Sequence, residues 1–201
     1  MSQLILTSDP LTTTTVGAFE YDGVAMYATP VSAQRGVIKT EQFIILQSPY
    51  TLTSQTAAQA MFNAPINGQV TLTTGTYQFE CLYSLSSMSA SSGAFGFALG
   101  GTATTTQSWM ATARKSALTD TATTNPSVTS YNITANTGLV AANTVTTGFA
   151  RVNGTVIVTV AGTLIPQVSL GVAAAAVVGV GSYFRISPLG TTTVTSVGNW
   201  S

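Results

Sequence analysis

Apolar and polar residues alternate one by one along much of this chain, the pattern of strands with one face in a core and the other in solvent. The run Thr76-Tyr77-Gln78-Phe79-Glu80-Cys81-Leu82 shows it, and Ser182-Tyr183-Phe184-Arg185-Ile186 repeats it. In Gly93-Ala94-Phe95-Gly96-Phe97-Ala98-Leu99-Gly100-Gly101 the two phenylalanines alternate with small residues, which predicts a core strand ending in a Gly-Gly turn. Threonine fills many polar positions, as at 12–15 and 191–193. Its β-branched side chain favours strand and its hydroxyl hydrates a surface without charge. Asp22-Gly23, Asn67-Gly68 and Asn153-Gly154 are the strongest turn signals, since both residue types tolerate positive φ. They predict a hairpin joining 18–21 to 24–27, a turn leading into 69–73, and a hairpin joining 148–152 to 155–160. Ala161-Gly162 then turns the chain into Thr163-Leu164-Ile165.

Helical signals are few. Ser54 can cap a short segment over 55–62, whose apolar residues fall at helical spacing. Residues 108–118 read equally as helix or loop. The polar stretch over 119–147 has weak periodicity and reads as a surface excursion. The fold predicted is all-β: an N-terminal arm with a β-hairpin over 1–47, then a jelly-roll-like β-sandwich head over 48–201. The arm is too short to hold a core of its own, so it wraps the head, intertwines with sister arms or docks on another protein.

One block breaks the alternation. From 172 to 180 nearly every residue is alanine or valine, so both faces of a strand there would be apolar. A single sandwich covers one such face, and other copies around a symmetry axis would cover the second. That reading makes the protein a homotrimer with Val172, Ala174, Ala176, Val178 and Val180 at its interface. Insertion in a membrane is not implied, because this apolar run is about half the length needed to cross a bilayer.

Charge changes the picture most. The chain has six basic and six acidic residues in 201, and no histidine. Soluble domains are about 25% charged; this one is 6%. Six scattered cations cannot make the basic stripe that nucleic acid requires. Without histidine, serine–histidine and cysteine–histidine triads are ruled out, and a zinc site would have to be built from carboxylates and one cysteine. Cys81 reads as a small apolar strand residue. Glu20 and Asp22 are the one close acid pair, and they read better as a strand-surface charge and a turn residue than as a glycosidase pair or a calcium site. The expectation is no enzyme, no cofactor and no metal. Trp109 and Tyr131 flank the polar excursion and are the candidate ligand contacts, with Trp200 near the carboxyl end.

Half the charges, Asp9, Glu20, Asp22, Arg35, Lys39 and Glu41, lie in the first 41 residues. Specific registration on a neighbour benefits from charge complementarity, so Glu20, Asp22, Arg35, Lys39 and Glu41 are the expected docking residues. Gly17-Ala18-Phe19-Glu20-Tyr21-Asp22-Gly23, with Tyr27-Ala28-Thr29-Pro30 and Arg35-Gly36-Val37 after it, resembles a segment of bacteriophage tail-fibre-type proteins that precedes a carboxyl-terminal head. Gly75 to Glu80, Phe95 to Thr102, Gly162 to Gln167 and Gly181 to Phe184 resemble the head, which in such proteins looks like a trimeric jelly roll of the tumour-necrosis-factor type. The resemblance implies a virion surface protein, made in the bacterial host cytoplasm, with the major capsid protein or another virion protein as its partner. Here the similar module starts almost at Met1, leaving no room for a shaft if the chain is complete. That favours a capsid decoration (cement) protein or a short head fibre; a tail-fibre tip binding a host receptor or surface glycan is the alternative.

Overall fold

A computed structural model describes residues 6–8, 14–32, 34–63, 66–115, 128–133 and 137–197. The strands are β1 (Phe19–Tyr21), β2 (Met26–Val31), β3 (Gln34–Ile38), β4 (Gln42–Ile45), β5 (Tyr50–Thr51), β6 (Gln59–Ala60) and β7 (Val70–Leu72). They continue with β8 (Gly75–Ser86), β9 (Gly93–Gly100), β10 (Thr104–Lys115), β11 (Val128–Ile133) and β12 (Thr137–Asn143). The series closes with β13 (Gly148–Val160), β14 (Gly162–Leu170), β15 (Val177–Val178) and β16 (Tyr183–Gly190). Among the described residues the helical content is one short 3-10 turn, Ile66–Gly68. The protein is all-β, as its alternation predicts.

Two antiparallel sheets form a sandwich. The large sheet runs β11-β10-β13-β8, and beyond β8 it continues through β16 to β4 and through β15 to β5. The smaller sheet runs β12-β9-β14-β6, with β7 also on β14. Every second residue points between them. Phe79, Cys81 and Tyr83 from β8, Val152 and Val156 from β13, and Trp109 from β10 meet Phe95 and Phe97 of β9, all at most 2% exposed. Phe97 sits at the centre, stacked on Phe79 and Tyr83 and edge-on to Trp109 at a centroid distance of 5.2 Å. Such aromatic pairs add about 0.5–1.5 kcal/mol beyond the area they bury. Cys81 lies fully inside with its Sγ 3.6 Å from Met61 Sδ, and burial pushes its thiol well above the ordinary value. It is the apolar strand residue expected. At one end of the sandwich the Lys115 ammonium, 3% exposed, donates to the carbonyls of Gly93 and Asn143 and so ties β10 to the smaller sheet.

The arm is a meander of three strands, β1-β2-β3. The Asp22-Gly23 hairpin is present, its loop spanning residues 22 to 25. Asp22 Oδ1 accepts from the backbone N–H groups of Val24 and Ala25 at 2.8 and 2.7 Å, an Asx turn. Asn67-Gly68 makes the second turn with φ of 54° and 65°. β4 pairs with β16 in the large sheet, so residues 42–45 belong to the head and the arm ends before the expected 47.

Four other expectations are corrected. Asn153-Gly154 is no turn: β13 runs straight through it, pairing with β8 and β10 along its length. Glycine serves there because a Cβ would lie 2.5 Å from Trp109 Cα and 2.3 Å from the Ser108 carbonyl oxygen. Residues 55–62 form no helix; Gln59 and Ala60 pair with β14, and Met61 and Phe62 are buried. Residues 108–115 are strand, part of β10. The excursion supplies β11 and β12, one edge strand for each sheet.

Candidate functional site: the outer face of the large sheet

The alternation that sends Phe79 and Cys81 inward sends Gln78, Glu80 and Leu82 to the outer face of β8. The same parity exposes Arg151 and Phe149 on β13, Arg185 on β16, Phe43 and Ile45 on β4, and Met110 on β10. Register aligns them in rows. Arg185, Glu80 and Asn153 stand side by side on β16, β8 and β13; Ile45, Tyr183, Leu82 and Arg151 form the next row.

Glu80 is the hub. It accepts from Arg151 Nη2 at 3.1 Å, from Arg185 Nη2 at 3.0 Å and from the Tyr183 hydroxyl. Burial pushes its carboxyl up, but the bonds from Tyr183, Arg185 and Arg151 outweigh it and hold the pKa down at about 2. The Tyr183 hydroxyl is raised in return. Glu41 extends the network, 3.1 Å from Lys39 Nζ and 3.9 Å from Arg185 Nη1. Lys39, Glu41, Glu80, Arg151 and Arg185, five of the chain's twelve charged residues, line one open cleft of about 360 Å³ together with Gln78, Asn153 and Ser187.

The sign of the Glu80 shift gives a pH test. Its folded pKa lies below the ordinary 4.5, so its stabilisation is complete above pH 4.5 and is lost as pH falls toward 2. Over that window the wild type should lose about 2 kcal/mol more than Glu80→Gln, after allowance for the solvent-exposed Arg151. Urea midpoints at pH 5 and pH 2.5 measure the difference; parallel losses in the two proteins would show that the hub is not charged as described.

The expected docking residues separate into two groups. Glu20 and Arg35 form a two-pronged pair across the meander, at 2.7 and 2.9 Å. Asp22 caps its turn and accepts from the Tyr27 hydroxyl at 2.8 Å, and the Leu189 carbonyl lies 3.2 Å from the same hydroxyl, so the arm's turn is fastened to the end of β16. These three hold the arm together and do not present free charge to a neighbour. Lys39, 57% exposed, and Glu41 border the cleft instead.

The block over 172–180 is also redistributed. It crosses from β14 to β15, where Ala176 and Val178 are fully buried in the chain's own core and Val172 and Ala174 are half-buried. Of the five positions expected at a trimer interface, Val180 alone is mostly exposed, at 57%. Trp109 is 2% exposed and bonded to Gln107, which removes it as a ligand contact. Tyr131 falls in β11 at the sheet edge, and its side chain lies outside the described residues, as do Asp9 and Trp200.

Glu80, Arg151 and Arg185 are the residues that sequence reading missed as a group. The available signal was that each is a lone charge at a polar position of an alternating strand. Among the described residues no group of three or more histidine, cysteine, aspartate or glutamate side chains could hold a metal ion. No helix there is long and apolar enough to cross a membrane. The fold defines an antiparallel β-sandwich protein with a charged hub on one sheet face. No protein-family model matches the chain, and no curated protein matches it significantly in sequence.

Proposed function

We propose that this chain is a non-enzymatic structural protein of a bacteriophage virion surface, a homotrimeric knob acting as a capsid decoration (cement) protein or short head fibre. The observation that carries the reading is the outer face just described, where Phe43, Ile45, Leu82, Met110 and Phe149 are 37–54% exposed in a chain with so few charges. Phe43 stacks on Tyr183, which stands between Ile45 and Leu82 in one row, and exposed apolar surface of this kind marks contact with other proteins. The arm-segment resemblance around Glu20-Tyr21-Asp22-Gly23 supplies the virion.

Docking on the major capsid protein or another virion protein falls to the most accessible charged pair beside the arm, the ion pair of Lys39 and Glu41 at the rim of the cleft. Arg35 is a poor probe, because it holds Glu20. Lys39→Ala with Glu41→Ala should reduce incorporation into phage particles severalfold while the purified double variant keeps the wild-type solution mass and circular dichroism. Incorporation at the wild-type level would overturn docking through this edge of the arm, and absence of the chain from purified virions would overturn the virion reading. The alternative, a tail-fibre tip, would use the same polar cleft for a host glycan. It predicts that the purified chain binds host cells and that Arg151→Ala abolishes the binding.

A further inference from the structure

β4 ends the large sheet on one flank: it pairs with β16 and, among the described residues, with no other strand. The register tells which of its backbone groups are engaged. Leu46 N–H donates to the Ser182 carbonyl at 2.9 Å, and the same register runs on from Ile45 with Tyr183 to Gln42 with Ile186. Antiparallel partners alternate between bonded and non-bonded pairs. Ile44 and Gln42 therefore bond to β16, while Phe43 and Ile45 turn their N–H and C=O groups away from it, along the rim of the sandwich. Natural sheet edges are commonly closed off by lysine, proline or a bulge. Gln42-Phe43-Ile44-Ile45 has none of these, and Phe43, Ile44 and Ile45 all favour strand. Beside it a cavity of about 120 Å³ lies between β4 and residues 68–70. β7, which begins at Val70, pairs with β14 alone. Each sheet thus comes to an open end at this corner.

We infer that β4 is a strand-addition site, where an extended segment of the virion protein that carries this chain pairs with the backbone of Phe43 and Ile45. The inference rests on the docking reading and gives that docking its mode. Continuity selects the occupant. Glu41, half of the Lys39–Glu41 docking pair, immediately precedes β4, so a neighbour seated on that pair has the free edge directly alongside. Two copies joined through the same edge would set β4 against β4 across a two-fold axis, which a three-fold knob lacks. The partner's chemistry follows from the strand. Backbone bonds supply the attachment, and alternate side chains supply the specificity. On the outer face those side chains lie beside Phe43, 54% exposed, and Ile45, 38% exposed. The segment it fits is therefore extended, with apolar residues at every second position there.

Amide hydrogen exchange of the wild type tests the edge without any variant. In the free protein the Phe43 and Ile45 amides should exchange at least about tenfold faster than those of Gln42 and Ile44; equal protection of all four would overturn an open edge. In purified phage particles the same two amides should become protected, and unchanged exchange there would overturn the pairing. Incorporation into particles is the second readout. Phe43→Pro removes an outward N–H and leaves the bonds to β16 in place, so it should lower incorporation at least about tenfold. Phe43→Ala keeps the N–H and should incorporate several times better than Phe43→Pro. If Lys39→Ala with Glu41→Ala blocks incorporation while Phe43→Pro enters as well as Phe43→Ala, docking stands and strand addition falls. If none of these changes matters, or the chain is missing from virions, the docking reading falls and this inference with it. The solution mass of Phe43→Pro should equal that of the wild type; a lower mass would assign the edge to a second copy and overturn the virion partner.

Discussion

Gly154→Val should leave little or no native protein, a loss on the order of 4 kcal/mol or more. Gly154 faces Trp109 across the β13–β10 pairing and Phe79 across the β13–β8 pairing. An added Cβ would meet Trp109 Cα and Cβ at 2.5 Å and the Ser108 carbonyl oxygen at 2.3 Å. Two of those three atoms are main chain, so relief requires prising β10 from β13 in the middle of the large sheet. That movement would also pull the Trp109 ring off Phe97. Gly154→Ala meets the same atoms with a smaller group and should cost about 2–3 kcal/mol. Urea titration followed by tryptophan fluorescence reads both; a Gly154→Ala midpoint equal to wild type would mean that the strands do not approach as closely as described.

Phe97→Ala should cost about 3–5 kcal/mol. Phe97 is fully buried and belongs to the smaller sheet, while its ring partners Phe79, Tyr83 and Trp109 belong to the large one. Truncation therefore opens a cavity at the seam between the sheets, where neither layer can collapse without bending. Domains of this kind are stable by about 5–15 kcal/mol, so the variant should melt many degrees lower and be partly unfolded at moderate urea. Leu82→Ala, on the outward face, is the comparison in the monomeric state, with an expected change within about 0.5 kcal/mol. Equal losses for the two would contradict the inward–outward assignment on which the site rests.

What the sequence made legible was local. Period-two alternation identifies β8 and β16 because each strand carries its own evidence, and Asp22 is a turn residue because its side chain caps its own neighbours. Asn153-Gly154 misleads for the converse reason: a tight turn and a close strand crossing both require a residue without bulk, and the partner that decides, Trp109, is 45 positions from Gly154 on the sequence. The 55–62 segment misleads because adjacent Met61 and Phe62 are both buried at the sandwich edge, a burial pattern set by what packs there and not by any period. The hub was illegible for a related reason. Arg151 and Arg185 meet Glu80 across 71 and 105 residues, so their meeting depends on strand order and register. Neither is written within any one strand. Charge clustering in the first 41 residues pointed to the arm, yet Glu20, Asp22 and Arg35 are satisfied within it or by the head.

The position of β16 bears on synthesis. β16, the last strand among the described residues, lies between β8 and β4, and β4 joins the sheet through it. β4 therefore emerges from the ribosome about 140 residues, or roughly seven to thirty seconds, before its partner exists. Phe79 likewise waits for Phe184, its ring neighbour at 5.9 Å. Such long-range pairing makes for slow folding. A chain cut short before Tyr183 lacks the strand that joins β4 to the sheet, the Phe184 ring of the core and the Tyr183 and Arg185 contacts of the outer face.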